Sequence, residues 1–358
     1  MPRRVVDQEQ TSTAHSRAVG ISARSLEVFD EFGAADELLD LGHRINVANF
    51  YSRSRLVGRL TLSGVHGTKF PCALAIPQNV TERVLRAQFI KLGGTIDTGF
   101  RVVGLDTRGG KGPVGLTLET PHGSESIDAS WVVGADGARS TVRGLLGIGM
   151  LDEPVDVPFS IVDAFVEGGP ARAEGHYYFS PDGMLVVIPM PDGSYRLAAT
   201  NPGAAGNDGI PDLEYVRTLV STRLPKHMEV RALRDAGWGG TRVRIRPRLA
   251  VAFRSGSCLL AGDAAHLFSP VGGQGMNGGI QDAHNLAWKL ALATRRRAPE
   301  SLLDSYQAER LPVARALMKA SNAQTRLATT RTPLGVKMTG RWFRLSRSLP
   351  STTPGPRR

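Results

Sequence analysis

Cysteine is scarce in this sequence: Cys72 and Cys258 are the only two in 358 residues, far apart and without metal-ligand spacing. The pair excludes a disulfide framework and a cysteine-built zinc site, and its scarcity fits a reducing cytoplasm. Long apolar runs are missing as well. The opening MPRRVVDQEQ has basic residues but no apolar stretch behind them, so it does not read as a secretory signal. No run is long enough to span a bilayer, which excludes integral membrane association. Acid is missing from the end: no Asp or Glu follows Glu309, while ten Lys and Arg residues lie between Arg315 and Arg358. The net charge of +11 therefore belongs to a basic tail, and the first 310 residues carry only +1. A nearly neutral body does not read as nucleic-acid binding. The tail, at 326–358, reads as a solvated and partly disordered face, the kind of segment that can also touch a membrane surface, an acidic partner or RNA. Metal-ligand clusters, a Ser/His/Asp triad and internal repeats are likewise absent, and no residue is assigned a catalytic role.

What is present is enough apolar material, 41% of the chain, for a sizeable core or two domains. Dispersed Gly and Pro indicate many turns. Residues 3–7 read as a short buried strand ending in an acid, and Ser22 to Phe32 has helical spacing stopped by Gly33. Val47 to Ser63 alternates like strand material, and Thr81 to Leu92 reads as a helix closed by Gly93-Gly94. From about 155 to 250 strand-like segments dominate, separated by turns such as SPDG and MPDGS. SCLLAGDAAH then reads as a buried strand. A long helix follows near Met276 to Thr294, with helical sequence to about 325.

Two motifs carry chemistry. In Gly262-Asp263-Ala264-Ala265-His266 an apolar strand delivers an acid at its carboxyl end, followed by the Pro/Gly loop from Pro270 to Gly275 and then a helix. That order suits a polyol phosphate held at the carboxyl edge of a parallel sheet. Asp263 can accept hydrogen bonds from ribityl hydroxyls. The glycines admit a flat ring close to the backbone. The first N–H groups of the helix, near Gly275 to Asn277, present the positive end of its dipole, which suits a reduced flavin ring. The second motif, Gly134-Ala135-Asp136-Gly137, follows the strand WVVGA, and Asp136 can cap the helix that starts near Ser140. Each turn taken alone is also an ordinary strand-to-helix connection.

The run GDAAHLFSPVGGQGMNGGIQDAHNLAWKL resembles the second FAD motif of class A flavoprotein monooxygenases, the p-hydroxybenzoate hydroxylase type that includes aromatic polyketide hydroxylases. GADGARS resembles the DG motif of the same family. The resemblance implies an α/β fold: a Rossmann-type FAD-binding domain over 1–150 with a strand excursion near 47–75, an inserted, mainly antiparallel β substrate domain over 151–253, and a return to the FAD domain with C-terminal helices over 254–325. It implies FAD contacts from Gly262, Asp263, Pro270, Gly273, Gln274, Gly275, Met276, Asn277 and Asp136. Asp7 matches the acid that binds the adenosine ribose, Arg17 and Arg24 match basic positions over the dinucleotide, and Gln78 matches a flavin-contacting position. His266 and His284 are read as structural. The substrate pocket is expected from Tyr177, Phe179, Met184, Val186 and Pro189, with Trp238 beside them.

The implied reaction consumes NADPH or NADH to reduce FAD. O2 adds at flavin C4a, and the resulting hydroperoxide passes one oxygen to a small aromatic or polycyclic substrate. The sequence departs from the pattern at its front. A strand, GxGxxG and a helix are expected ahead of the ribose acid, yet only six residues precede Asp7. The first βα unit is thus read as missing, with weak FAD affinity expected. Two other readings stay open: a flavin-dependent reductase or dehydrogenase of the same fold, and a non-catalytic remnant with a basic interaction tail.

Overall fold

A computed structural model describes residues 3–11, 18–52, 54–63, 66–110, 112–155, 157–201, 210–225, 227–234 and 240–329. Arg17, Trp238 and the tail from 330 onward lie outside the described residues. The chain divides into two units. One takes Met1–His43, Gly67–Val157 and Arg244–Thr325; the other takes Arg44–His66 and Pro158–Val243. The strand excursion thus ends at His66 rather than 75, and the inserted unit is shorter at both ends than 151–253. Strands Met150–Asp152 and Arg248–Ala250 pair with each other inside the first unit, which accounts for the difference.

The first unit is α/β. Val5–Asp7 runs parallel to Ile96–Thr98, and Val132–Gly134 runs parallel to Cys258–Leu260. The three strands Arg101–Asp106, Val114–Thr120 and Gly123–Ala129 form an antiparallel meander. The opening strand is not buried as its apolar sequence suggests. Val5 is 40% exposed, because among the described strands Val5–Asp7 pairs on one side only. One core gathers Cys258, Leu259, Leu260, Phe268, Leu286, Tyr306 and Met318. Another gathers Ile21, Leu26, Phe29, Leu38 and Leu74 around the helix Ala23–Asp30. Ser22 caps that helix by accepting the Ser25 N–H. The helix Gln78–Lys91 starts three residues earlier than its apolar spacing indicates, and Ala35–Leu41 forms a further helix that the spacing left unassigned.

The second unit is one sheet of eight strands. Its spine runs Val157–Glu167, Tyr195–Thr200, Gly183–Pro189 and Glu174–Ser180, all antiparallel; Val47–Ser52 then joins in parallel. Alternation sorts the side chains onto two faces. Tyr178, Leu185, Val187, Tyr195 and Leu197 point toward the helix Leu213–Ser221 and pack on its Val216, Leu219 and Val220. This helix lies in a region whose β-branched residues read as strand. Its apolar positions follow helical spacing nonetheless, and Asp212 caps it by accepting the Tyr215 N–H at 2.7 Å.

The opposite face carries Phe50, Tyr177, Phe179, Met184 and Val186, joined by a bidentate ion pair of Asp163 and Arg196, each side chain 1% exposed. Removing one member of such a pair strands a buried charge, whereas apolar replacement of both is tolerated. Asp163→Ala is therefore expected to lower the unfolding free energy of this unit by about 3–5 kcal/mol. The double replacement Asp163→Leu with Arg196→Met should recover most of that loss, as measured by urea denaturation.

Candidate cofactor site

Two turns separated by more than a hundred residues meet because their strands are neighbours. Val132, Val133 and Gly134 pair in register with Cys258, Leu259 and Leu260, and the Ala261 N–H then bonds the Gly134 carbonyl at 3.0 Å. Both chains leave the sheet at its carboxyl edge. The first leaves as the Asp136 loop. Its carboxylate accepts the Ser140 hydroxyl at 2.5 Å and the Val142 N–H at 3.0 Å, which caps the short helix Thr141–Leu145. The second leaves as a tight turn, Gly262–Ala264, with Gly262 at φ +60°, a left-handed conformation that favours glycine. Arg143 staples the loops together, donating to the Ala264 carbonyl at 2.9 Å and the Ala138 carbonyl at 3.0 Å.

After the turn, His266–Leu267 pairs with Arg248–Ala250, and the chain enters the Pro270–Gly273 loop. Gly272 and Gly273 both have positive φ, and the long helix Gln274–Thr294 follows directly. The N–H groups of Gln274, Gly275 and Met276 have no carbonyl within the helix to bond, so they form a donor cluster at its positive end. The helix comes close to the Gly262 turn through small residues: a Cβ on Gly279 would stand 3.2 Å from the Gly262 Cα.

Asn277 serves a different purpose from direct contact through its side chain. Its amide oxygen accepts the Ser22 N–H (2.9 Å) and the Ser25 hydroxyl (2.7 Å), and its amide nitrogen donates to the Gly20 and Gly273 carbonyls (2.9 Å each). It locks the helix start to a segment more than 250 residues away. Met276 likewise packs into the core around Ile21 and Leu26.

Asp282, a turn further along the helix, was missed by sequence reasoning. It is 0% exposed and accepts three hydrogen bonds: from the Gly262 N–H (3.1 Å), His266 Nε2 (2.5 Å) and Arg310 Nε (2.7 Å). Burial pushes its carboxyl up, but the hydrogen bonds and charges of His266 and Arg310 outweigh this and hold it below the ordinary carboxylate range. The available signal was periodicity. Gly278, Asp282, Leu286, Lys289 and Ala293 form one buried helical stripe, and an acid on such a stripe requires a buried partner.

The remaining expected residues divide. Asp7 ends its strand, accepting the Glu9 N–H at 3.1 Å with Arg86 3.8 Å away. Arg24 pairs with Glu27 at 2.9 Å on an exposed helix face. Gln78 accepts the Ala18 N–H at 3.2 Å and donates to Glu82. Gln274 donates to the Gly272 carbonyl, and the Pro270 carbonyl accepts the Gly273 N–H, so both shape the loop itself. His284 meets Glu31 at 2.9 Å on an exposed helix face.

In the sheet unit, Tyr177 pairs with Val186 and Phe179 with Met184, and Phe50 stacks on Tyr177 with ring centroids 5.0 Å apart. Pro189 falls on the opposite, helix-covered face, paired with Tyr195. Phe50 was not foreseen, because its strand is distant in sequence and joins only through the parallel pairing. Among the described residues no cluster of His, Cys, Asp and Glu suits a metal ion, and no helix is long and apolar enough to cross a membrane.

Comparison with known proteins agrees with this geometry. The FAD binding domain family matches residues 2–321. The chain is 35% identical over 331 residues to 6-methylpretetramide 4-monooxygenase of Streptomyces rimosus, covering 92% of this chain and 58% of that protein. It is 33% identical over 325 residues to pentachlorophenol 4-monooxygenase of Sphingobium chlorophenolicum, covering 89% and 59%. The solved structure of OxyS anhydrotetracycline hydroxylase from Streptomyces rimosus superposes with a TM-score of 0.76 at 28% identity, over 96% of this chain and 68% of that one. The chain belongs to the FAD binding domain family. It spans less than two thirds of the length of the two curated relatives.

The Asp282 hub has a pH signature. A carboxyl held below its ordinary range stabilises the fold fully above its unfolded pKa and loses that contribution as pH falls through its folded value. Asp282→Asn should destabilise the first unit by about 3–5 kcal/mol at neutral pH, since it leaves Arg310 buried and unpaired. Thermal melts from neutral to acidic pH should show a smaller acid-induced loss in the variant than in the parent chain.

Proposed function

We propose that this chain binds FAD and acts as an NADPH- or NADH-consuming monooxygenase that hydroxylates a small aromatic or polycyclic ring with O2. One observation carries the reading: the Asp263 turn, the glycine loop with its helix N-terminus, and the Asp136 loop gather at the carboxyl ends of two adjacent parallel strands. The residues suit the cofactor. Backbone at Gly262, Gly272 and Gly273 takes the left-handed conformation, and a Cβ on Gly272 would stand 2.6 Å from Gln324 Oε1, so the cradle accepts glycine alone without rearrangement. Asp263 would hold the ribityl chain, and the first N–H groups of the Gln274–Thr294 helix would face the electron-rich pyrimidine end of the ring. Asp7 is the residue for the adenosine ribose, with Arg24 and Gln78 near the dinucleotide.

When bound, FAD supplies the O2 chemistry, while the protein supplies position, electrostatics and exclusion of water. Asp282 and Arg143 hold the two turns in place. The apolar face of Phe50, Tyr177, Phe179, Met184 and Val186 offers a flat, water-poor surface suited to aromatic rings. Both cysteines are buried, and burial pushes the Cys258 thiol up to about 11, in keeping with a cytoplasmic setting.

The test starts with FAD titrated into the purified protein, followed by NADPH or NADH with pentachlorophenol or anhydrotetracycline as probe rings. Flavin binding, with O2 uptake matching hydroxylated product, is the expected result. Flavin reduction without oxygen in the product would overturn the hydroxylase reading, and protein that stays colourless with FAD would overturn cofactor binding. Asp263→Ala should weaken FAD affinity by at least about tenfold, the equivalent of one lost charge-assisted hydrogen bond, as read by titration of FAD into the variant.

A further inference from the structure

The strands Val47–Ser52 and Arg55–Thr61 form a hairpin at one end of the eight-stranded sheet. Among the described strands it joins the sheet on one side only, through the parallel pairing of Val47–Ser52 with Glu174–Ser180. A row of polar side chains crosses that seam on the face that carries Tyr178. Asn49 pairs in register with His176 on one side and with Arg59 on the other, and Glu174 shares the face of His176 two residues before it. The middle of the row is buried: Asn49 is 2% and His176 5% exposed. Beyond His176 the row turns apolar, with the fully buried Val187 opposite it.

The hydrogen bonds of this row are unevenly shared. Glu174 Oε2 accepts the Asn49 amide at 2.6 Å, and Oε1 accepts the Arg59 guanidinium at 2.9 Å. His176 Nε2 stands 3.5 Å from the same Oε2, longer than an ordinary hydrogen bond. Neither ring nitrogen has a hydrogen-bond partner in the protein, and neither has Asn49 Oδ1. Aromatic faces hold the imidazole instead: Tyr51 stacks on it with centroids 5.5 Å apart, and Tyr178 lies 6.2 Å away.

Such surroundings suit a neutral ring. Burial pushes the imidazole below the ordinary histidine range, and Arg59 adds to this, together outweighing the pull of Glu174. Tyr51 and Tyr178, the titratable groups stacked beside it, stay neutral because burial pushes their phenols up. An imidazolium here would be a second cation near Arg59 in a nearly dry place, beside a carboxylate already committed to two donors. Water reaches the ring when the seam opens, and the hairpin, held on one side, is the element free to swing away.

We propose that the row of Arg59, Asn49, His176 and Glu174 is a pH-sensitive latch, closed while the imidazole is neutral and opened by its protonation, which frees Val47–Ser52 and Arg55–Thr61 from the sheet. The hairpin carries Phe50, whose ring stacks on Tyr177 on the opposite face, so opening also breaks up the flat aromatic surface. All four residues belong to the sheet unit, and the latch does not depend on the cofactor reading. The folded imidazole is held below its unfolded value. The stability that the latch contributes is therefore complete above about pH 6.5 and is lost as pH falls through the folded value.

Amide hydrogen exchange of the full chain, followed by mass spectrometry from about pH 7.5 to about pH 5 and corrected for the intrinsic pH dependence of exchange, tests this. Peptides over 47–61 should open more readily by up to about tenfold per pH unit below the ordinary histidine range, the slope of one linked proton. The Leu213–Ser221 helix, packed on the same sheet, should keep its protection. His176→Phe retains a ring for Tyr51 to stack on and removes the proton, so its hairpin should show no such rise, whereas a merely structural histidine would leave the pH course unaltered. Should that variant pack poorly, NMR titration of the His176 ring in the parent chain decides, since its midpoint must coincide with hairpin opening. A ring that charges at or above the ordinary range, a hairpin whose exchange ignores pH, or the same pH course in parent and variant overturns the latch.

Discussion

A buried negative charge organises the cofactor side of this molecule. Asp282 sits without solvent contact beneath the Gly262 turn and bonds that turn's N–H, the imidazole of His266 and the guanidinium of Arg310. A carboxylate in such a place is tolerable only because a cation and two further donors satisfy it. Each partner comes from a different element. The strand end, the loop after it, the long helix and the final helix therefore share one electrostatic constraint. Arg310 also reaches the Gly278 carbonyl at 3.3 Å, so the final helix is tied to the backbone of the long one at the level where the latter crosses the turn.

The second unit achieves order differently. Its sheet has one face closed by the Leu213–Ser221 helix and its aliphatic partners, with Tyr51 and Tyr178 stacked at 4.7 Å on that side. The other face mixes aromatic and aliphatic side chains with the Asp163–Arg196 pair. Because strand partners point the same way, a hydroxylase reading needs no long-range coincidence to bring Phe50 beside Tyr177. Parallel register between their strands is enough.

The motifs were legible in the sequence because backbone chemistry writes them plainly. Left-handed turns demand glycine, as at Gly262, helix starts demand caps, and the Asp136 turn needs both. The strand-rich character of 155–250 was equally plain. What the sequence concealed followed from tertiary context. The Leu213–Ser221 helix is rich in β-branched residues, and a cap plus a packed face overrides that bias. Val5–Asp7 looks like buried strand by composition, but burial depends on neighbours that composition does not name. Asp282, Arg310 and Phe50 gain their roles from partners far along the chain. Asn277 and Asp136 stand within readable motifs, yet their side chains are committed to holding the backbone in place.

The staple between the Asp136 and Asp263 loops has a kinetic consequence. Arg143 closes a span of 121 residues to Ala264, and Asn277 closes one of 257 residues to Gly20. Contacts of such sequence separation form late, because loop-closure entropy is lost before they repay it. On a ribosome, the β-sheet unit's segments have all emerged before the Gln274–Thr294 helix exists, so the cradle is assembled onto an already collapsed chain. A ligand that binds only the finished cradle then does more than react there: by mass action it favours the chain in which these long-range contacts have closed, so cofactor supply adds to the stability of the folded protein.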